Sequence, residues 1–471
     1  MGTHDAARSL SGRSPLSTTD REGRRRWIHP VVSKGAYYKA RRIVAYSLIA
    51  LFVALPHVRI AGRPAFLLDI PNRQLLLFGA TFFATDTIVL PAFGIGLVLT
   101  IALVTALFGR IWCGWACPQP IYLEFVFRPI ESLIEGAASV RNRLAHEPMT
   151  PGRWARRLAK WAVFLVVAIV LANTFVGYFV PTDRLWRMIL SRPGDNWTAF
   201  VAVAVVTTMM FVDFTWVREL TCIIACPYGR LQSVLIDPQS MIVGYDRRRG
   251  EPRKKQIDRT DGDGAGDCVD CMACVRTCPT GIDIREGLQL ECIGCTQCID
   301  ACDAIMTRVK KPPRLIRYTS LDELEGKPVK LLRPRVFLYG AIVLVAASAL
   351  AWVLLARSTF EFEVTRQPGA PFYLQSDGQV VNRLHLRLTN RTSTEQRFNV
   401  AVLAPEGAAL VTADMPIIVP AQDVVHLDAL VRTPPSLFHG SFGRLSARIE
   451  AVGGASKPQA KDFVLLGPEG L

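Results

Sequence analysis

Eight cysteines between Cys268 and Cys302 constrain this chain more than any other feature. Cys268, Cys271, Cys274 and Cys278 follow the spacing C-x2-C-x2-C-x3-C, with Pro279 directly after. Cys292, Cys295, Cys298 and Cys302 repeat it, with Asp303 in place of the proline. Thiolates two residues apart in a tight turn grip three corners of a cubane, and in chains with two such runs the fourth cysteine of each ligates the other cluster. The spacing therefore predicts one [4Fe–4S] cluster on Cys268, Cys271, Cys274 and Cys302, and a second on Cys292, Cys295, Cys298 and Cys278. Zinc usually takes two separated C-x2-C pairs, not a run of three plus one. Disulfides need an oxidising compartment, and the charge pattern argues against one. A stretch of this kind carries electrons, one per cluster.

Around it the chain is both apolar and basic. Half of its 471 residues are hydrophobic, 20% are charged and the net charge is +15; the mean hydropathy is +0.25. That mixture suggests membrane spans alternating with charged loops. The positive balance raises nucleic acid as a partner, but no zinc-finger or recognition-helix pattern accompanies it, so none is expected. Five apolar runs reach spanning length, at about 42–58, 88–112, 158–180, 198–216 and 336–356; five such runs speak against buried core helices. A shorter apolar patch at 75–83 reads as interfacial or re-entrant.

Arginine and lysine set the orientation. The tail 1–40, the loop 109–157 (with Arg110, Arg128, Arg141 and Arg143) and the segment 217–335 are basic, whereas the 181–197 loop sets Arg184, Arg187 and Arg192 against Asp183 and Asp195. The N-terminus and the cysteine-rich segment are thus expected in the reducing cytoplasm, and the C-terminal region outside. No apolar stretch with a small-residue cleavage site opens the chain, so no cleaved signal is expected. Arg128, Glu124 and Glu131 read as interfacial side chains. The acidic stretch 258–267 fails the calcium-loop template, since Ala265 breaks the spacing, and reads as a flexible linker.

The last 115 or so residues change character. The segments 360–364 and 384–388 alternate apolar and polar, with turn signals between them, the pattern of a small immunoglobulin-like β-sandwich without a cysteine pair. Its expected role is docking or bracing. The expected division is a basic tail (1–40), a four-span membrane domain (41–235), a two-cluster domain with flanks (236–334), a fifth transmembrane helix (335–357) and an all-β sandwich (358–471).

Two further motifs close the second and fourth spans: Cys113 and Cys117 followed by Pro118, and Cys222 and Cys226 followed by Pro227. If each C-x3-C is helical, its sulfurs sit at i and i+4 on one face, and the proline ends the helix. Three readings stay open: buried structural thiols, a redox-active dithiol, and a soft-metal site, for which copper fits best. The seven histidines (His4, His29, His57, His146, His385, His426 and His439) read as surface or interfacial. None lies mid-span, so no membrane haem is expected. No nucleotide or flavin motif is present, so the electron donor must be docked, soluble or lipid-borne.

The residues WCGWACPQP, TCIIACPYGRLQS and YDRRRGEPR, with the double cysteine run, resemble the CcoG/FixG/RdxA family, polyferredoxin-type accessory proteins of cbb-type cytochrome c oxidase. The likeness covers nearly the whole chain and is most specific from Cys113 to Cys302. It implies a bacterial inner-membrane protein with a two-[4Fe–4S] ferredoxin domain in the cytoplasm and a periplasmic sandwich. It also implies a cupric reductase supplying Cu(I) for oxidase assembly, with Cys113, Cys117, Cys222 and Cys226 as copper-handling thiols. Its implied partners are a cytoplasmic electron donor, a copper transporter or chaperone, and oxidase subunits; a homo-oligomer is compatible with the pattern. Two other readings remain, a quinol-linked electron conduit and a scaffold for oxidase assembly.

Overall fold

Among the described residues, four helices are long and apolar enough to cross a membrane: Ala36–His57, Pro151–Val176, Pro193–Val217 and Pro334–Trp352. A fifth candidate is bent: Phe93–Phe108 turns through 91° and continues as Ile111–Glu135. The computed structural model describes residues 17–468 apart from short internal stretches, the longest 256–263. The first sixteen residues of the tail, His4, His146 and His439, and most of the acidic linker therefore lie outside the described residues.

The apolar runs all appear as helices, with different ends. The second does not run straight into the first C-x3-C-P motif, as the hydropathy suggested. It breaks at Gly109, whose φ of +55° is a left-handed conformation and whose Cβ, if present, would lie 2.2 Å from the Met241 carbonyl oxygen. Only glycine satisfies both demands. The apolar patch at 75–83 is likewise not a re-entrant segment where it begins. Gln74–Leu77 is a strand paired antiparallel with Phe66–Asp69, a register that sets Leu67 opposite Leu76 and buries both.

The chain forms two compact units: residues up to 79 with 84–350, and 351–471 with the short segment 80–83. In the membrane part of the first unit, Phe127 stacks on Phe214 with ring centroids 4.2 Å apart and meets Phe164 edge-on at 4.8 Å. Such large buried rings supply much of the packing free energy between helices. The cysteine-rich segment is closed at its ends by strands Ile242–Tyr245 and Ile316–Thr319, paired antiparallel. Their side chains join Ile282, Ile284, Ile299, Met306 and Leu315 in one buried core.

The second unit is a sandwich of two antiparallel sheets. One orders Ala409–Val411, Val424–Thr433, Val380–Asn390 and Phe360–Arg366; the other orders Ile417–Val419, Gln396–Ala404, Arg444–Gly453 and Gln459–Leu466. Alternate residues Leu384, Leu386 and Leu388 point inward with Phe360, Phe362, Phe398 and Ile449. The period-two pattern read from the sequence is this inner face.

Candidate electron-transfer site

Two cavities open within the cysteine-rich segment, each walled by both halves of the double run. One is lined by Cys278, Cys292, Cys295 and Cys298, with Cys274, Thr280 and Ile282. The other is lined by Cys268, Cys271, Cys274 and Cys302, with Tyr245, Arg285 and Met306. The two loops curl alike: Asp270 and Met272 have positive φ between the first cysteines, and Gly294 and Thr296 occupy the equivalent positions of the repeat. Alternation of right- and left-handed residues turns successive N–H groups inward and makes a concavity for an anion. Burial pushes the thiols of Cys274 and Cys295 up to about 12, so without metal they stay protonated. At least four thiols lining each cavity, with Cys274 shared between the two, inside an anion-holding loop suit a thiolate-bound iron–sulfur cluster.

The C-x3-C-P motifs are not the continuous helices expected. Cys113 lies within the short helix Ile111–Trp115, but Cys117 is extended and precedes the helix Pro118–Tyr122. Cys222 lies in a wide π-type turn, Thr221–Ala225, and Cys226 is extended before Pro227–Leu235. Each proline starts a new helix at a position where its missing N–H costs nothing. The i, i+4 geometry is therefore replaced by a turn in both motifs, yet the two turns meet. Cys113 and Cys222 pack in one apolar cluster with Ile293, Cys295 and Tyr228. Burial, then the neighbouring Cys117, Cys113 and Cys226, push the Cys222 thiol up to about 12. Among the described residues, no three His, Cys, Asp or Glu side chains converge tightly enough to hold a single metal ion.

Residues other than the cysteines fix this arrangement. A Cβ on Gly114 would lie 2.7 Å from the carbonyl oxygens of Ile293 and Gly294, so the first motif touches the second cysteine loop backbone to backbone. Arg110 donates to the carbonyls of Cys292 (3.3 Å) and Gly229 (3.1 Å), tying that loop to the helix after the second motif. The Cys113 thiol meets Gln232 Oε1 at 3.0 Å. Trp115 Nε1 donates to the Tyr318 hydroxyl at 2.9 Å. Arg110 was legible only as a basic loop residue; Gly114, Trp115 and Gln232 stood within the motifs that carry the family resemblance, but spacing gave no sign of what they would touch.

Arg128, Glu124 and Glu131 do not lie at an interface. All three are buried. Arg218 grips Glu131 through two hydrogen bonds of 3.0 and 3.1 Å, and Arg141 and Lys160 pair with the same carboxylate. Arg128 pairs with Glu124 and Glu219 and donates to the Pro279 carbonyl (3.3 Å); Gln297 donates to Glu124 (3.1 Å). Charges this deep persist only when paired. None of these contacts reaches a thiol; they join the cysteine-rich segment to the membrane helices. His385 and His426 share a hydrogen bond of 3.1 Å on the sandwich, and Asp428 holds His385.

Comparison with known proteins follows this geometry. Residues 217–321 match a model described as a 4Fe-4S dicluster domain, and residues 90–137 one described as a 4Fe-4S binding domain. Protein RdxA of Cereibacter sphaeroides is 33% identical over 446 residues, 91% of this chain and 94% of that protein. The chain belongs to the RdxA/FixG family. The nitrogen fixation protein FixG of Rhizobium meliloti is 29% identical, covering 80% of this chain and 79% of its own length. Protein RdxB of C. sphaeroides is 31% identical, covering 77% and 78%. Residues 350–468 match the Ig-like fold at the C-terminus of FixG. The chain is a bacterial membrane protein of iron–sulfur electron transfer.

Proposed function

We propose that this protein is a membrane-bound cupric reductase: it takes Cu(II) as substrate at the C-x3-C-P thiols and yields Cu(I) for assembly of a cbb-type cytochrome c oxidase. Cys268, Cys271, Cys274 and Cys302 would hold one [4Fe–4S] cluster, and Cys278, Cys292, Cys295 and Cys298 the other. Bound there, the clusters supply one-electron transfer, which matches a one-electron metal reduction. The observation that carries the reading is the packing of Cys113 and Cys222 against Cys295 and Ile293, with Gly114 allowing direct backbone contact.

The chain's own groups then do the following. Cys113, Cys117, Cys222 and Cys226 receive the substrate ion and retain it as Cu(I), which soft thiolates prefer. The extended Cys117 and Cys226 close on it, since no three donors are preset for one ion. Gln232 holds the Cys113 thiol, and Arg110 keeps the two turns in register. The basic loops favour an orientation with the N-terminus and the cysteine-rich segment in the cytoplasm and the sandwich in the periplasm. A cytoplasmic reductant, a copper transporter or chaperone, and oxidase subunits are the partners this direction requires.

The double variant C113S/C117S tests the assignment. It should lose Cu(I) production, measured by chelator trapping, while keeping the iron content and visible spectrum of the wild type. Undiminished Cu(I) production in that variant would remove these thiols from the reaction.

A further inference from the structure

The two thiol-lined cavities differ in how the buried arginine beside each is paired. Arg41 reaches in from the first membrane helix and is 1% exposed. Its Nε donates to the Gly114 carbonyl oxygen at 2.8 Å, and its guanidinium carbon lies 5.5 Å from the centre of the Phe125 ring. Among the described residues, Nη1 and Nη2 have no hydrogen-bond partner, and no carboxylate stands within ion-pair distance. A buried guanidinium with unsatisfied terminal donors is a costly arrangement that needs an anion. The Gly114 turn that Arg41 binds lies against the Ile293 and Gly294 backbone, directly before Cys295, and Cys295 favours the charged form of Arg41. Asp300 is already engaged, accepting from the backbone N–H groups of Tyr37 (3.2 Å) and Tyr38 (2.7 Å).

The other cavity has its own arginine, Arg285, but that one is compensated twice. It bonds Asp283 at 2.6 Å and Asp270 at 2.5 Å, and Asp303 follows Cys302 directly in the chain. The buried arginine on the side of the first cavity therefore lacks a carboxylate partner, whereas the one lining the second is paired twice.

We infer that Arg41 is the counter-charge and hydrogen-bond donor for the anionic group held by Cys278, Cys292, Cys295 and Cys298, making that site the more easily reduced of the two and the exit for electrons toward the Gly114 turn. The inference rests on the reading that both cavities hold iron–sulfur clusters. A fixed positive charge and donors to sulfur favour the form with one more electron. When an electron moves between the sites, the one lined by Cys268 and Cys302 is oxidised by one electron and the one beside Arg41 reduced by one. No proton or further reactant is needed.

The test is a potentiometric titration of the full-length protein in detergent, followed by the paramagnetic signals of the reduced clusters, for wild type, R41K and R41Q. In R41Q, one of two waves should move down, so that at its wild-type midpoint the reduced-to-oxidised ratio falls about tenfold, or about 59 mV for a one-electron couple. The other wave, marked by its altered signal in a Cys302→Ser background, should not move. R41K keeps the charge but loses the planar fork of donors, and should fall between. Two unmoved waves in R41Q at full iron content would overturn the inference. If R41Q loses iron, R41K decides by the same criterion: a downward shift of that one wave supports the role, and two unmoved waves overturn it. A wild-type protein that binds no iron–sulfur cluster would instead sink the underlying reading.

Discussion

Gly114 shows how much one absent methyl group can decide. It sits inside the helix Ile111–Trp115, where alanine would ordinarily be favoured by about 1 kcal/mol. Here a Cβ would press on the carbonyl oxygens of Ile293 and Gly294 at 2.7 Å, and backbone on both sides leaves nothing flexible to yield. Gly114→Ala should therefore keep its iron but slow reoxidation of the reduced protein by Cu(II) by on the order of tenfold or more, since small displacements at a transfer contact are costly. Stopped-flow absorbance would measure it, and a wild-type rate would show that the contact is not on the path. His29 offers a second residue-scale test. Arg141 Nη1 donates to its Nδ1 at 3.1 Å, so that nitrogen must be unprotonated. Burial, reinforced by the Arg141 charge, lowers its pKa from 6.5 to about 4. The unfolded chain then binds the proton first: the stabilisation is complete above pH 6.5 and is lost as the pH falls toward 4. His29→Gln should flatten the fall in thermal stability over that window relative to wild type.

At the scale of elements, apolar length was legible in the sequence and helix ends were not. The hydropathy placed the start of the first span at about Arg42, yet the helix begins at Ala36. The reason is tertiary. Asp300, on the helix Gln297–Arg308, accepts from the N–H groups of Tyr37 and Tyr38 and so caps a helix more than 260 positions away in the chain. Such a cap stabilises by about 1 kcal/mol, and it also ties the cysteine-rich segment to the membrane. Asp300→Ala should lower the thermal midpoint of cluster loss, with Asp300→Asn restoring part of it; an unchanged midpoint would deny the cap any such role. The same limit explains the second span. Its break depends on Gly109 lying against Met241, and a single glycine in an apolar run carries no sign of what it will touch. The i, i+4 reading of the C-x3-C-P motifs failed for a local reason that could have been weighed: a proline directly after the second cysteine biases that cysteine away from helical geometry.

Across the whole molecule, the readable features were those written in periodicity: apolar runs for spans, alternation for the sandwich, and fixed cysteine spacing for the iron–sulfur segment. What joins them was not readable. Arg41, Arg110, Gln232 and Gly114 act through contacts with residues distant in the chain, which neither spacing nor periodicity reveals. Together they bring two membrane turns and one cysteine loop into a single patch, and the central claim is that electrons leave through that patch to copper. The most direct measurement is anaerobic addition of Cu(II) to the dithionite-reduced, desalted protein, following visible absorbance and chelator-trapped Cu(I) together. Cluster reoxidation with one Cu(I) formed per electron lost is the predicted result. Clusters that stay reduced with Cu(II), yet reoxidise with a quinone analogue, would contradict it and make the protein a quinone-linked conduit.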